Sequence, residues 1–141
     1  MTSIMPPFHL AFPVRDIDST RAFYVDVLGC RVGRSAERWI DFDFYGHQIS
    51  AHVSEELSDA STNAVDGDDV PVRHFGLVLT VEAWRALVAR LEEAGVAFLI
   101  APRVRFAGEP GEQHTAFVRD PSGNAIELKA FADPARIFAS E

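Results

Sequence analysis

Apolar and polar residues alternate with period two at the start of the chain, where Phe8, Leu10 and Phe12 fall on one side and His9 on the other. The spacing then turns helical, with Phe23, Val27 and Leu28 on one stripe behind Asp16 or Asp18 as N-cap, until Gly29 stops it. This predicts a strand over 8–14, a helix ending at Gly29, a short strand near 30–35, a strand over 37–45 and another over 48–55, with a turn at Gly46-His47. The run from Trp39 to Phe44 alternates strictly, as in a strand that faces two environments. Residues 57–71 are polar and read as a linker. Beyond them the pattern predicts a strand over 72–80, a helix over 81–94 and a strand near 97–101. A loop carrying Pro102, Gly108, Pro110 and Gly111 follows, then strands over 113–119 and 125–131 joined by a tight turn at Asp120-Pro-Ser-Gly-Asn124. Asp133-Pro134 predicts a short terminal helix over about 133–140.

The two halves repeat one order. From His9 and from His74 the chain runs through a strand into a helix about seven residues on, and a glycine ends each helix at +20 and +21. The predicted fold is α+β: two βαβββ modules, about 6–56 and 72–131, forming one curved mixed-sheet cavity with a helix on the outside of each module. At 141 residues they form a single domain.

Composition narrows the partners. A net charge of −8 speaks against nucleic acid, since phosphate binding needs clustered Lys and Arg. No apolar run approaches the roughly 20 residues of a bilayer span, so no membrane partner is expected. The start Met-Thr-Ser-Ile-Met-Pro-Pro lacks signal-peptide character, and the single cysteine, Cys30, fits a reducing cytoplasm.

Alternation also assigns faces. With the apolar neighbours packed toward the helices, His9, His74 and Glu127 point to the cavity, as do Gln48, Ser50 and His52. Two imidazoles and a carboxylate form a facial triad that leaves about three positions open on a divalent metal, the frame of non-haem Fe(II) oxygenases. His52 and His114 are the candidates for acid–base work, because a neutral imidazole can take a proton near neutral pH. Arg103 and Arg105 flank the second loop, where a guanidinium can hold a carboxylate. Trp39 shares the cavity parity and can wall the pocket.

The repeated modules, the helix Ser19-Thr-Arg-Ala-Phe-Tyr24 with Val27-Leu28-Gly29, and Asp120-Pro-Ser-Gly-Asn-Ala-Ile-Glu-Leu128 resemble the vicinal oxygen chelate superfamily. That superfamily includes glyoxalase I, extradiol dioxygenases, and fosfomycin- and bleomycin-resistance proteins. The resemblance covers about residues 6–131. It implies metal ligands at His9, His74 and Glu127, and a fourth position at Ser50, where glyoxalase I has a glutamate. A serine there leaves three ligands, as in extradiol enzymes, with His52 as a fourth ligand or a base near the metal. The resemblance also implies a homodimer and a small-molecule substrate.

The expectation is an extradiol-type dioxygenase of a small aromatic diol, with Fe(II) or Mn(II) favoured. The alternatives are a glyoxalase-like isomerase or lyase with Ni(II) or Zn(II), and a metal-free antibiotic-binding protein.

Overall fold

The computed structural model describes residues 5–57 and 60–140, so residues 58 and 59 of the expected linker lie outside the described residues. The chain divides into two compact units, Met1–Ser58 and Asp59–Glu141. Each unit carries a mixed four-stranded sheet with a helical segment, which makes the fold α+β with a pair of βαβββ modules.

In the first unit β1 (His9–Val14) leads into α1 (Ile17–Arg21), which continues as a π-helical stretch Ala22–Val27. Asp16 is the N-cap, its carboxylate accepting the Ser19 N–H at 2.7 Å. The wider π turn, closed by Leu28 N–H to the Phe23 carbonyl at 3.0 Å, shifts the buried stripe from the expected Phe23, Val27 and Leu28 to Phe23, Tyr24 and Leu28. Tyr24 is fully buried, stacked on Phe42 with centroids 5.0 Å apart and packed against Phe12 at 5.7 Å. Strands β2 (Arg31–Ser35), β3 (Trp39–Phe44) and β4 (His47–Val53) complete the sheet in the order β1-β4-β3-β2, with β1 parallel to β4. Phe12, Ile40, Phe42, Ile49 and Ala51 form the core row on the helix side.

The second unit opens with a hairpin, β5 (Thr62–Val65) and β6 (Asp68–Pro71), where the sequence pattern predicts only a linker. Its turn is Asp66-Gly67, both residues at positive φ (45° and 86°), the geometry that an Asp-Gly pair favours in a two-residue hairpin. The sheet proper is β7 (His74–Leu79), β10 (Ala125–Phe131), β9 (Gln113–Arg119) and β8 (Phe98–Arg105), in that spatial order, with β7 parallel to β10. α2 (Val81–Glu93) is capped by Thr80, whose hydroxyl accepts the Ala83 N–H, and buries Trp84, Leu87, Val88 and Leu91. β8 runs further than expected: register shifts around Ile100 and Arg103 accommodate Pro102 within the strand, so Arg103 and Arg105 lie on a strand and not on a loop. The expected terminal helix is one 3-10 turn, Pro134–Arg136, capped by Asp133. Among the described residues no helix is long and apolar enough to cross a membrane.

Candidate metal site

Register in the second sheet decides what meets. His74 lies beside Ala125, and Glu127 beside Gly76, so the two side chains share the face away from α2. His74 Nε2 is 3.1 Å from Glu127 Oε1, and Thr115 donates its hydroxyl to Glu127 Oε2 at 2.7 Å. His74 Nδ1 is 2.7 Å from the Pro71 carbonyl, which can only accept, so Nδ1 carries a proton. That bond fixes the ring so that Nε2 faces the carboxylate, the orientation a metal-ligating imidazole takes when a carbonyl holds its other nitrogen.

The carboxylate is tightly held. Burial pushes Glu127 up, but the hydrogen bonds from His74 and Thr115 and the nearby Lys129 ammonium outweigh it and leave the carboxyl below its ordinary value. The Glu127 hydrogen bond raises His74, against the opposing effect of burial, and the Pro71 carbonyl adds to the rise. His74, Glu127 and Lys129 line a cavity of about 220 Å3.

Gly76 lets this pair form. A Cβ at Gly76 would stand 1.7 Å from the Glu127 carbonyl oxygen and 2.6 Å from its carbon, so only glycine permits β7 to approach β10 here. Sequence reading missed both Gly76 and Thr115. The signal available was a glycine inside an apolar strand pattern, which marks close backbone approach.

The first unit repeats the register with different chemistry. His9 heads β1 beside Gln48, as His74 heads β7 beside Ala125. Ser50 lies beside Ala11, as Glu127 lies beside Gly76. Ser50 is buried, and its hydroxyl is 2.5 Å from Asp41 Oδ1 on the neighbouring strand, donating to the carboxylate. Asp41, 8% exposed, also lines a cavity of about 320 Å3 with Gly33, Arg34, Asp43 and Gln48. Exposed His52 lies in register between Pro13 and Trp39.

Two expected residues fall elsewhere. His114 is in register with Ala130 and Val104, on the helix-covered face, with its ring 5.1 Å from Trp84 of α2. His114 therefore packs under the helix, on the opposite face from Glu127, and is not placed for acid–base work beside it. Arg105 is 3% exposed and already engaged. Its Nη1 donates to the Val65 carbonyl at 2.9 Å, and its Nη2 lies 2.9 Å from Asp68 Oδ2, off the hydrogen-bonding direction, so that contact is ionic. Arg103 is likewise paired with Asp66 and Asp68. Both arginines fasten β8 to the hairpin.

Within neither unit do three His, Cys, Asp or Glu side chains of the described residues gather as a metal cage. In the second unit two donors, His74 and Glu127, do meet.

A family profile matches residues 7–128, nearly the whole repeat. The chain belongs to the glyoxalase/bleomycin resistance protein/dioxygenase superfamily. It is 34% identical to a glyoxalase/bleomycin resistance protein/dioxygenase from Alicyclobacillus acidocaldarius, whose crystal structure superposes with a TM-score of 0.77 over 94% of this chain and 96% of that one. It is 27% identical to the virulence protein STM3117 of Salmonella typhimurium (strain LT2) over 87% of this chain and 82% of that protein. The fosfomycin resistance protein FosX of Listeria monocytogenes shares the fold, with a TM-score of 0.67 at 20% identity over 92% of this chain and 94% of that one. Members of this superfamily run several chemistries on one scaffold, so the reaction has to be argued from the site.

Proposed function

We propose that the chain is a divalent-metal enzyme acting on a small molecule that presents two adjacent oxygens, with His9, His74 and Glu127 as the protein ligands. The observation that carries this is the His74–Glu127 pair, two donors 3.1 Å apart with the imidazole locked by Pro71. Imidazole nitrogen and carboxylate oxygen suit Fe(II), Mn(II), Ni(II) or Zn(II). His9 supplies the third donor from the repeat position equivalent to His74. When bound, a divalent ion supplies Lewis-acid polarisation of substrate oxygens and, as Fe(II) or Mn(II), a redox path to dioxygen.

The leading reaction is oxygen-dependent cleavage of a small aromatic diol. Three protein ligands leave room for a bidentate substrate and O2, and the Ser50 hydroxyl is already committed to Asp41. His74 and Glu127 orient the substrate oxygens, Trp39 walls the pocket, and His52 accepts the proton that a substrate hydroxyl gives up. A second reading, isomerisation or lysis without oxygen using Ni(II) or Zn(II), is favoured by Asp41. Its buried carboxylate stands one strand over from Ser50, the position that carries a glutamate in glyoxalase I, and supplies a base there.

Oxygen uptake by Fe(II)-loaded protein across a panel of catechol-type diols tests the first reading. Uptake abolished in Glu127→Ala supports it. Isomerisation of a hemithioacetal with no oxygen consumed overturns it in favour of the second. His52→Ala should lower turnover on the order of 100-fold with the metal retained; release of the metal would make His52 a ligand instead. We further propose a cytoplasmic homodimer, from the single cysteine and the sheet edges left by each module; a light-scattering mass near 15.6 kDa at micromolar concentration would contradict the dimer.

A further inference from the structure

Of the thirteen Lys and Arg residues in the chain, Lys129 is the only lysine. It lies two residues beyond Glu127 on the same face of β10, in register with Thr115 and Val78, and lines the same cavity as His74 and Glu127. Its ammonium is 3.6 Å from Glu127 Oε1, the oxygen that also faces His74, and its side chain is 30% exposed. Among the described residues its ammonium is paired with Glu127 alone.

A cation at this point is awkward for a metal site. A divalent ion on Glu127 Oε1 displaces the ammonium from its counter-charge and leaves two positive charges within a few ångströms, a repulsion that costs metal affinity. Lys129 would be better absent if the site bound only a metal. An anionic oxygen placed between the two charges removes the conflict and gains a charge-assisted hydrogen bond. A lysine suits this better than an arginine. Its compact ammonium on a flexible stem can swing from Glu127 to the incoming oxygen, whereas a guanidinium prefers to stay forked on a carboxylate.

We propose that Lys129 is the cation that receives an anionic oxygen of the substrate beside the metal, which narrows the substrate class to a carboxylate-bearing oxygen chelator, such as an aromatic diol that carries a carboxylate, with the ortho-hydroxy carboxylate salicylate as its simplest probe. This rests on the metal site proposed above. Lys129 is therefore a specificity-determining residue that contacts the substrate, and neutral chelators of the same shape bind without its help.

Calorimetric titration of metal-free protein with Zn(II), followed by salicylate or its neutral counterpart salicylamide, tests this in wild type, Lys129→Met and Lys129→Arg. Urea midpoints check that each variant is folded. Lys129→Met should bind Zn(II) as tightly as wild type or several-fold tighter, since a repulsive charge is gone. Salicylate should bind the Zn(II)-loaded variant about tenfold more weakly, the value of one charge-assisted hydrogen bond, while salicylamide binds both alike. Lys129→Arg should restore most of the salicylate affinity. Equal salicylate affinity in wild type and Lys129→Met overturns the proposal while leaving the metal site standing. Loss of Zn(II) binding in Lys129→Met also overturns it, because Lys129 would then serve only to prop Glu127. Wild-type protein that takes up no Zn(II) overturns the metal site itself and this inference with it.

Discussion

Replacing Gly76 with alanine adds one methyl group at the point where β7 and β10 come closest. Its Cβ would sit 1.7 Å from the Glu127 carbonyl oxygen, 2.6 Å from the carbonyl carbon and 2.9 Å from the amide nitrogen, where ordinary contact begins at 3.4 Å. All three atoms are backbone, so no side-chain rotation relieves the clash. β10 is the second strand of the sheet, paired with β7 on one side and β9 on the other, and α2 covers its back. The strands must part, which strains the packing by about 1–3 kcal/mol or more. Losing one or two ladder hydrogen bonds adds about 1 kcal/mol each. A total of about 2–5 kcal/mol is a large share of the roughly 5–15 kcal/mol that holds a domain folded. The same displacement moves Glu127 away from His74, so Zn(II) affinity should fall by at least tenfold along with stability. Urea unfolding and calorimetry read the two effects separately. Gly111→Ala is the control: nothing lies within 4 Å of its Cβ and its φ is not positive, so it should be neutral or slightly stabilising. A Gly76→Ala loss below about 1 kcal/mol with unchanged metal affinity would refute the close-approach argument.

Three other outcomes follow from the same geometry. Thr115→Val removes the hydroxyl held 2.7 Å from Glu127 Oε2, and should weaken metal binding about 10- to 100-fold with a stability loss near 1 kcal/mol by urea titration. Arg105→Ala removes one of the two guanidiniums that hold Asp68, strips the Val65 carbonyl of its donor and leaves a buried void, and should cost about 3 kcal/mol in urea unfolding, whereas a purely substrate-binding arginine would leave stability unchanged. In metal-free protein the His74 contribution to stability is complete below 6.5 and is lost as pH rises through the raised folded value, while that of Glu127 is present above 4.5 and is lost as pH falls through its lowered one. The urea midpoint should therefore decline on the alkaline side of 6.5, and Glu127→Gln should flatten that decline. Metal affinity should run the opposite way, rising with pH as His74 gives up its proton.

The repeat and the βαβββ order were legible in the sequence because each half opens on an alternating strand followed by a helix that stops at Gly29 or Gly95. Four features were not. The Asp66-Gly67 hairpin sits in a run whose acidity masks a strong turn pair. Pro102 suggested a loop, yet a strand with register shifts holds it, which put Arg103 and Arg105 on the wrong kind of element. In β9 apolar residues occupy both faces, since Ala116, Phe117 and Val118 are all fully buried, so periodicity could not say that His114 lies under Trp84. The Ser50–Asp41 and Thr115–Glu127 hydrogen bonds depend on cross-strand neighbours, which no local pattern encodes.

The central claim is that His9, His74 and Glu127 hold one divalent ion in each chain. Anaerobic titration of metal-free protein with Mn(II), followed by electron paramagnetic resonance of the free ion, measures this in wild type and in the alanine variants of these three residues. Wild type should bind one Mn(II) per chain, and each of the three variants should lose more than about 100-fold in affinity, beyond the 10- to 100-fold cost of removing an outer hydrogen-bond partner. A wild type that binds no Mn(II), or a His9→Ala protein that keeps the wild-type affinity, would contradict the three-ligand site.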